Sequence, residues 1–312
     1  MTTRYAKTRD RLQAGEVLIL DGGVSSELEK RGVPMTDGLW SGRVALDHWE
    51  AVVDMHRAYI DAGADIITAN TYASSRLMLG PAGLGDKVDE INRRSIDAAL
   101  EARRRAGTPD LLVAGSMSHM IPIPTGAYRP EEYEHPGAAA MLDAFRELAM
   151  IHADAGSDFI LLEMMSAPER MAPMFHALSD TNLPVWCGLS AVRDDEGAVK
   201  SWHEPSVPFA DIVAMAAAQE FDVMGIMHTS ADLIADTLPV IRAAHAGPVM
   251  AYPDAGYFEM PHWRFVDTIA PSRFRELAEA WRDAGVQILG GCCGLGPEHI
   301  AAIADMKGSP RR

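Results

Sequence analysis

Cysteine is scarce, with 3 residues in 312. Two of them are adjacent, which excludes a disulfide-stapled fold and points to a reducing compartment, the cytoplasm. Basic residues are also in deficit. Lys and Arg total 28 against 44 Asp and Glu, a formal charge of -16. Such a surface repels phosphate backbones and anionic lipids, so neither nucleic acid nor a membrane is expected as a partner. No apolar run reaches the length of a membrane span, and residues 1–11 lack the apolar segment a secretory signal requires. Low-complexity blocks and linkers are missing, as is any nucleotide fingerprint in a strand-turn-helix setting. What is present is ordinary for a globular chain with a large core, 48% hydrophobic and 23% charged. Small-molecule partners are expected, and homo-oligomerisation is left open.

Short apolar runs recur over 17–21, 65–70, 111–117, 159–163, 184–190, 223–228, 248–253 and 286–293. Stretches with helical spacing lie between them, over 49–62, 87–106, 138–155, 167–178, 206–218, 233–244 and 271–284. Buried parallel strands read as continuous apolar runs, and strand-helix alternation calls for parallel crossovers. The expected fold is α/β, a single (β/α)8 barrel spanning 1–312 as one domain, with 1–15 and 307–312 as peripheral ends. Segments 80–85 and 121–126 read as loops after strand ends, where barrels place functional loops.

The most specific local feature is Gly290-Gly291-Cys292-Cys293-Gly294 directly after the last apolar run. Adjacent thiols between glycines are badly placed for a structural disulfide and well placed to hold a soft metal, zinc first. Polar and metal-capable residues fall at the ends of the proposed strands: Asp21, Asn70, Glu163, Cys187, His228, Asp254, Cys292 and Cys293. That is the face where barrel active sites are assembled. His228 ends the sixth strand and the two thiols the eighth, and alternate strands supply one interior layer. Two thiolates and one imidazole around zinc leave a fourth position open, the catalytic pattern. Cys187, inside the fifth run, reads as a core thiol.

The segment from Gly290 to Ile300, Gly-Gly-Cys-Cys-Gly-Leu-Gly-Pro-Glu-His-Ile, resembles the C-terminal signature of the zinc-dependent homocysteine S-methyltransferases. Asp21-Gly22-Gly23 with Ser26-Glu27-Leu28-Glu29-Lys30-Arg31-Gly32 resembles the opening motif of that family. The run from Ala62 to Tyr72 is similar to its second-strand motif, and Tyr252-Pro253-Asp254-Ala255-Gly256 to its Tyr-Pro-Asn-Ala-Gly. The likeness extends from about Val17 to Met306. It implies zinc-dependent transfer of a methyl group from a sulfonium or ammonium donor to a small thiol, homocysteine first, giving methionine. Asp21 and Glu163 would grip the amine of that thiol, and the backbone N–H groups of Gly22, Gly23 and Val24 would meet its carboxylate. Trp40, Asn70 and Tyr72 would wall the site of a cationic donor. No residue is expected as a general base, because coordination deprotonates the thiol.

This chain departs from the family pattern at the same face. His228 stands where the family has its first Cys ligand, Met227 where it has Asn, Met164 where it often has Thr, and Asp254 where it has Asn. The departures keep two alternatives open. One is a barrel enzyme that uses the His-Cys-Cys zinc on another sulfur or selenium compound or to activate water; the other is a zinc- or thiol-binding protein without turnover.

Overall fold

In the computed structural model residues 2–36, 39–122, 135–179, 181–255, 257–259, 262–264 and 269–308 are described. Of the loop expected over 121–126, residues 123–126 lie outside that set, as do Gly256 of the Tyr-Pro-Asp-Ala-Gly motif and 309–312 of the C-terminal end. The apolar runs form β1 (Leu18–Ile19), β2 (Ile66–Thr68), β3 (Leu112–Ser118), β4 (Phe159–Met165), β5 (Val185–Leu189), β6 (Val223–Ser230), β7 (Val249–Asp254) and β8 (Ile288–Leu289). They pair in parallel in one 8-stranded sheet with the order β1-β8-β7-β6-β5-β4-β3-β2. A parallel bridge between Leu20 and Ile66 joins the two edges, so the sheet closes. The fold is a (β/α)8 barrel.

Alternation along the strands sorts side chains into two layers. Leu18, Leu112, Phe159, Leu161, Trp186, Val223, Met250 and Ile288 point into the barrel. Ile19, Val113, Ile160, Cys187, Met224 and Leu289 point outward, into the layer between sheet and helices. The helices that cover this layer are amphipathic for the expected reason. In the helix Val88–Ala106, Ile91, Asn92, Ser95, Ile96, Ala99 and Ala102 are buried at three- and four-residue spacing. Among the described residues no helix is long and apolar enough to cross a membrane.

Three features go beyond the sequence reading. Segment 1–15, expected as a peripheral end, contains α1 (Thr3–Gln13), whose Tyr5 and Leu12 are buried against the foot of the barrel. A two-stranded antiparallel ribbon, Ala191–Arg193 with Val199–Ser201, extends from the end of β5. The eighth run, expected as strand to residue 293, is strand only at Ile288–Leu289. Beyond it the chain packs too closely for side chains: a Cβ on Gly290 would lie 2.8 Å from the Tyr252 ring, and one on Gly291 2.5 Å from Leu295. The amides of this segment are nonetheless held between its neighbours, Gly290 N–H on Ala251 O, Gly291 N–H on Asp21 O and Cys292 N–H on Pro253 O. The thiol pair is thereby clamped between β1 and β7.

Candidate metal and thiol site

Two strands break register at the C-terminal face. β4 shifts against β5 between Leu162 and Met165, and β6 shifts against β7 between Met227 and Ser230. Such bulges re-aim side chains near active sites. Within them Met164 and His228 adopt left-handed backbone, φ 61° and 44°, a strained conformation that persists only where the surroundings enforce it. Met227, just before the second bulge, points into the barrel over Gly188. A Cβ there would lie 2.1 Å from the Met227 sulfur, so Gly188 makes the room that this side chain occupies.

The bulge brings His228 to the thiols. One ring nitrogen of His228 and the sulfurs of Cys292 and Cys293 all lie within 4.8 Å of one another. Cys292 Sγ is 3.1 Å from His228 Nδ1 and 3.4 Å from Cys293 Sγ. Tetrahedral zinc with ordinary Zn–S and Zn–N bonds separates its ligand atoms by about 3.5–3.8 Å, so the three donors are close enough to share a metal after side-chain adjustment that includes reorienting the imidazole. Burial and the Cys293 thiol push the Cys292 thiol well above its usual range, against the pull of His228. Burial alone lowers His228, but the Cys292 sulfur and Glu163 outweigh it and hold the imidazole well above its ordinary value. Cys187 is fully buried between sheet and helices.

Both expected carboxylates are present and buried. Asp21 accepts from Thr68 N–H at 2.6 Å and Thr68 Oγ1 at 2.9 Å, and Tyr252 Oη lies 3.4 Å away while bonding Gly22 O at 2.9 Å. Burial raises its pKa to about 8; the Thr68 bonds oppose this, and neighbouring Glu163 adds to it. Glu163 accepts from Ser116 Oγ on one oxygen and lies 2.9 Å from His228 Nε2 through the other. Among the described residues no Lys or Arg hydrogen-bonds or ion-pairs with Asp21, Glu163, Cys292 or Cys293. The basic group in contact with them is His228.

The remaining expected residues divide. The Trp40 and Tyr72 rings lie 5.8 Å apart, and Tyr72 lies 5.3 Å from the His228 ring, so an aromatic row leads to the thiols. Asn70 spends its amide on Ser41, donating to the carbonyl at 2.8 Å and accepting from the hydroxyl at 2.6 Å. It holds the turn that carries Trp40. The expectation for Gly23 is corrected: its N–H donates to Leu295 O and is not directed at a substrate, leaving Gly22 and Val24 in that reading. Thr68, Ser116 and Tyr252 were missed as site residues. Thr68 and Tyr252 stand inside recognised motifs, whereas Ser116 is marked only by its inward register on β3.

A family model described as homocysteine S-methyltransferase matches residues 18–307. Homocysteine S-methyltransferase 4 of Zea mays is 28% identical, covering 94% of this chain and 90% of its own length. The homocysteine S-methyltransferase of Escherichia coli is 27% identical, with 94% and 96% covered. Selenocysteine Se-methyltransferase of Brassica oleracea is 28% identical, with 93% and 89% covered. Among solved structures, the metallated form of the E. coli homocysteine methyltransferase MmuM superposes with a TM-score of 0.75 at 25% identity, covering 95% of this chain and 98% of that one.

Proposed function

The chain belongs to the homocysteine S-methyltransferase family, and from that premise we propose that this methyltransferase moves a methyl group from a sulfonium or ammonium donor to the thiol of homocysteine, using zinc held by His228, Cys292 and Cys293. One observation favours the metal: among the described residues four buried acidic groups converge with no Lys or Arg among their partners, so that without metal Asp21 and the Cys292 thiol hold their protons, which a bound cation would displace. The three donors are a soft set with a fourth position open to a substrate sulfur. Zinc, when bound, supplies Lewis acidity that lowers the thiol pKa and keeps the sulfur anionic at neutral pH.

The chain's residues do the positioning. Asp21, fixed by Thr68, faces the substrate ammonium together with Glu163, and charge-assisted bonds of this kind are directional. The amides of Gly22 and Val24 meet the carboxylate. Trp40 and Tyr72 present ring faces to the positive charge of the donor, holding its methyl carbon in line with the sulfur. The sulfur lone pair forms the new S–C bond as the donor's S–C or N–C bond breaks, and the bonding pair leaves with the donor as a neutral thioether or amine. The proton lost by the thiol goes to solvent.

The test is metal analysis on protein purified without chelator, then methyl transfer to homocysteine from a panel of S-methylmethionine, a betaine, a dimethylsulfonium acid and S-adenosylmethionine. About one zinc per chain and turnover with one of these donors is the expected result; neither metal nor turnover would refute the reading. A selenol acceptor belongs in the same panel, since a relative is named for that chemistry.

A further inference from the structure

Replacing a thiolate ligand by imidazole removes one negative charge from the metal's surroundings, and the structure places a carboxylate where it would return that charge. Glu163 Oε2 lies 2.9 Å from His228 Nε2, with both side chains largely out of solvent. A carboxylate only accepts, so Nε2 carries the proton, and the lone pair of the neutral ring is then on Nδ1. Nδ1 is the nearer ring nitrogen to Cys292 Sγ, 3.1 Å away against 3.8 Å for Nε2, so the sulfur lies beside the ring and a rotation of the imidazole would bring the Nδ1 lone pair onto the thiols. The carboxylate is itself fixed, because Ser116 Oγ donates to its other oxygen. The Tyr72 ring lies against the imidazole at 5.3 Å and 39°. Both partners sit at strand bulges, and His228 has strained backbone, so the pairing is over-determined by the fold.

We infer that Glu163 is a positioning residue for the metal centre: by engaging Nε2 of His228 it leaves Nδ1 as the nitrogen free to ligate, and it supplies the negative charge that a third cysteine would have carried. The inference rests on the reading of His228 as a ligand. It shifts the main burden of gripping a substrate ammonium to Asp21. Carboxylates hydrogen-bonded to the far nitrogen of a ligating histidine generally tune ligand basicity and orientation, and their loss costs 10- to 100-fold in metal affinity.

The test is zinc affinity by chelator competition, read together with the absorption bands of the cobalt-substituted protein, for Glu163→Gln in the natural background and in His228→Cys. In the natural background the fall should be about 10- to 100-fold, with shifted cobalt bands. In His228→Cys, which has no imidazole to orient, Glu163→Gln should change affinity less than about threefold and leave the bands in place. Glu163→Asp keeps the charge but shortens the reach; it should lie between wild type and Glu163→Gln, and it serves if the Gln variant does not fold. An equal fall in both backgrounds, or none in either, overturns the inference while leaving the methyltransferase reading intact. Failure of the unmodified protein to take up zinc overturns both.

Discussion

The two ends of the barrel interior are built from the same strands and could hardly differ more. At the foot the polar atoms are paired by the chain itself: Trp186 Nε1 donates to Tyr5 Oη at 2.8 Å, and Tyr5 Oη donates to Asp222 at 2.6 Å. Buried Asp158 accepts from Arg4, Arg103 and the Val113 amide. At the mouth, among the described residues, Asp21, Glu163, Cys292 and Cys293 meet hydroxyls, a backbone amide, one imidazole and, for the two sulfurs, each other. The foot is neutralised by its own arginines and rings, so it stabilises. Among the described residues the mouth has no such basic partner, and on the proposed reading a metal cation and a substrate ammonium would complete it.

The comparison is broken most severely at the thiols. Cys292→Ser should reduce zinc affinity by about 100-fold or more and abolish methyl transfer, because a poorer ligand replaces one of three. Equilibrium dialysis and a turnover assay check this. The fold should persist, since the mouth adds little to stability.

At the foot the result should be the opposite. Trp186→Ala removes a fully buried ring and leaves Tyr5 without its donor, at a cost of about 3–5 kcal/mol. Denaturant melts should show that loss, while zinc content below the transition stays unchanged.

Asp21→Asn is expected to weaken homocysteine binding by about 1.5–3 kcal/mol, the worth of a charged hydrogen bond, seen as a raised KM with zinc retained. It also alters pH dependence. With a folded pKa of about 8 against an unfolded value near 3.8, the native metal-free protein holds a proton that the unfolded chain has released. Its stability therefore falls as pH rises between these values. Asp21→Asn should flatten that slope in urea melts of metal-free protein at pH 5, 7 and 9. The smallest effect belongs to the third cysteine. Cys187→Ala, outside the barrel interior, should cost roughly 1 kcal/mol and leave zinc stoichiometry as it was.

The strands and crossover helices were legible because parallel strands buried on both sides are continuous apolar runs, and helix 88–106 carries its stripe openly. Segment 1–15 was not. Its polar and basic residues mask Tyr5 and Leu12, and only closure of the barrel makes these core. At the site, Cys292 and Cys293 were legible from their glycine setting and His228 from its strand-end position. The contact between Glu163 and His228 was not, because it depends on bulges in two strands 65 residues apart in sequence, and register shifts leave no mark in hydrophobic periodicity. The Gly23 amide failed for a related reason: its partner, Leu295 O, comes from the far end of the chain.

Zinc K-edge X-ray absorption of the protein, before and after addition of homocysteine, tests the central claim most directly. The account predicts two sulfurs at about 2.3 Å and one histidine nitrogen at about 2.0–2.1 Å from the protein, rising to three sulfurs when the thiol is added. A sulfur count that does not change with homocysteine, or a first shell without the histidine nitrogen, would contradict it.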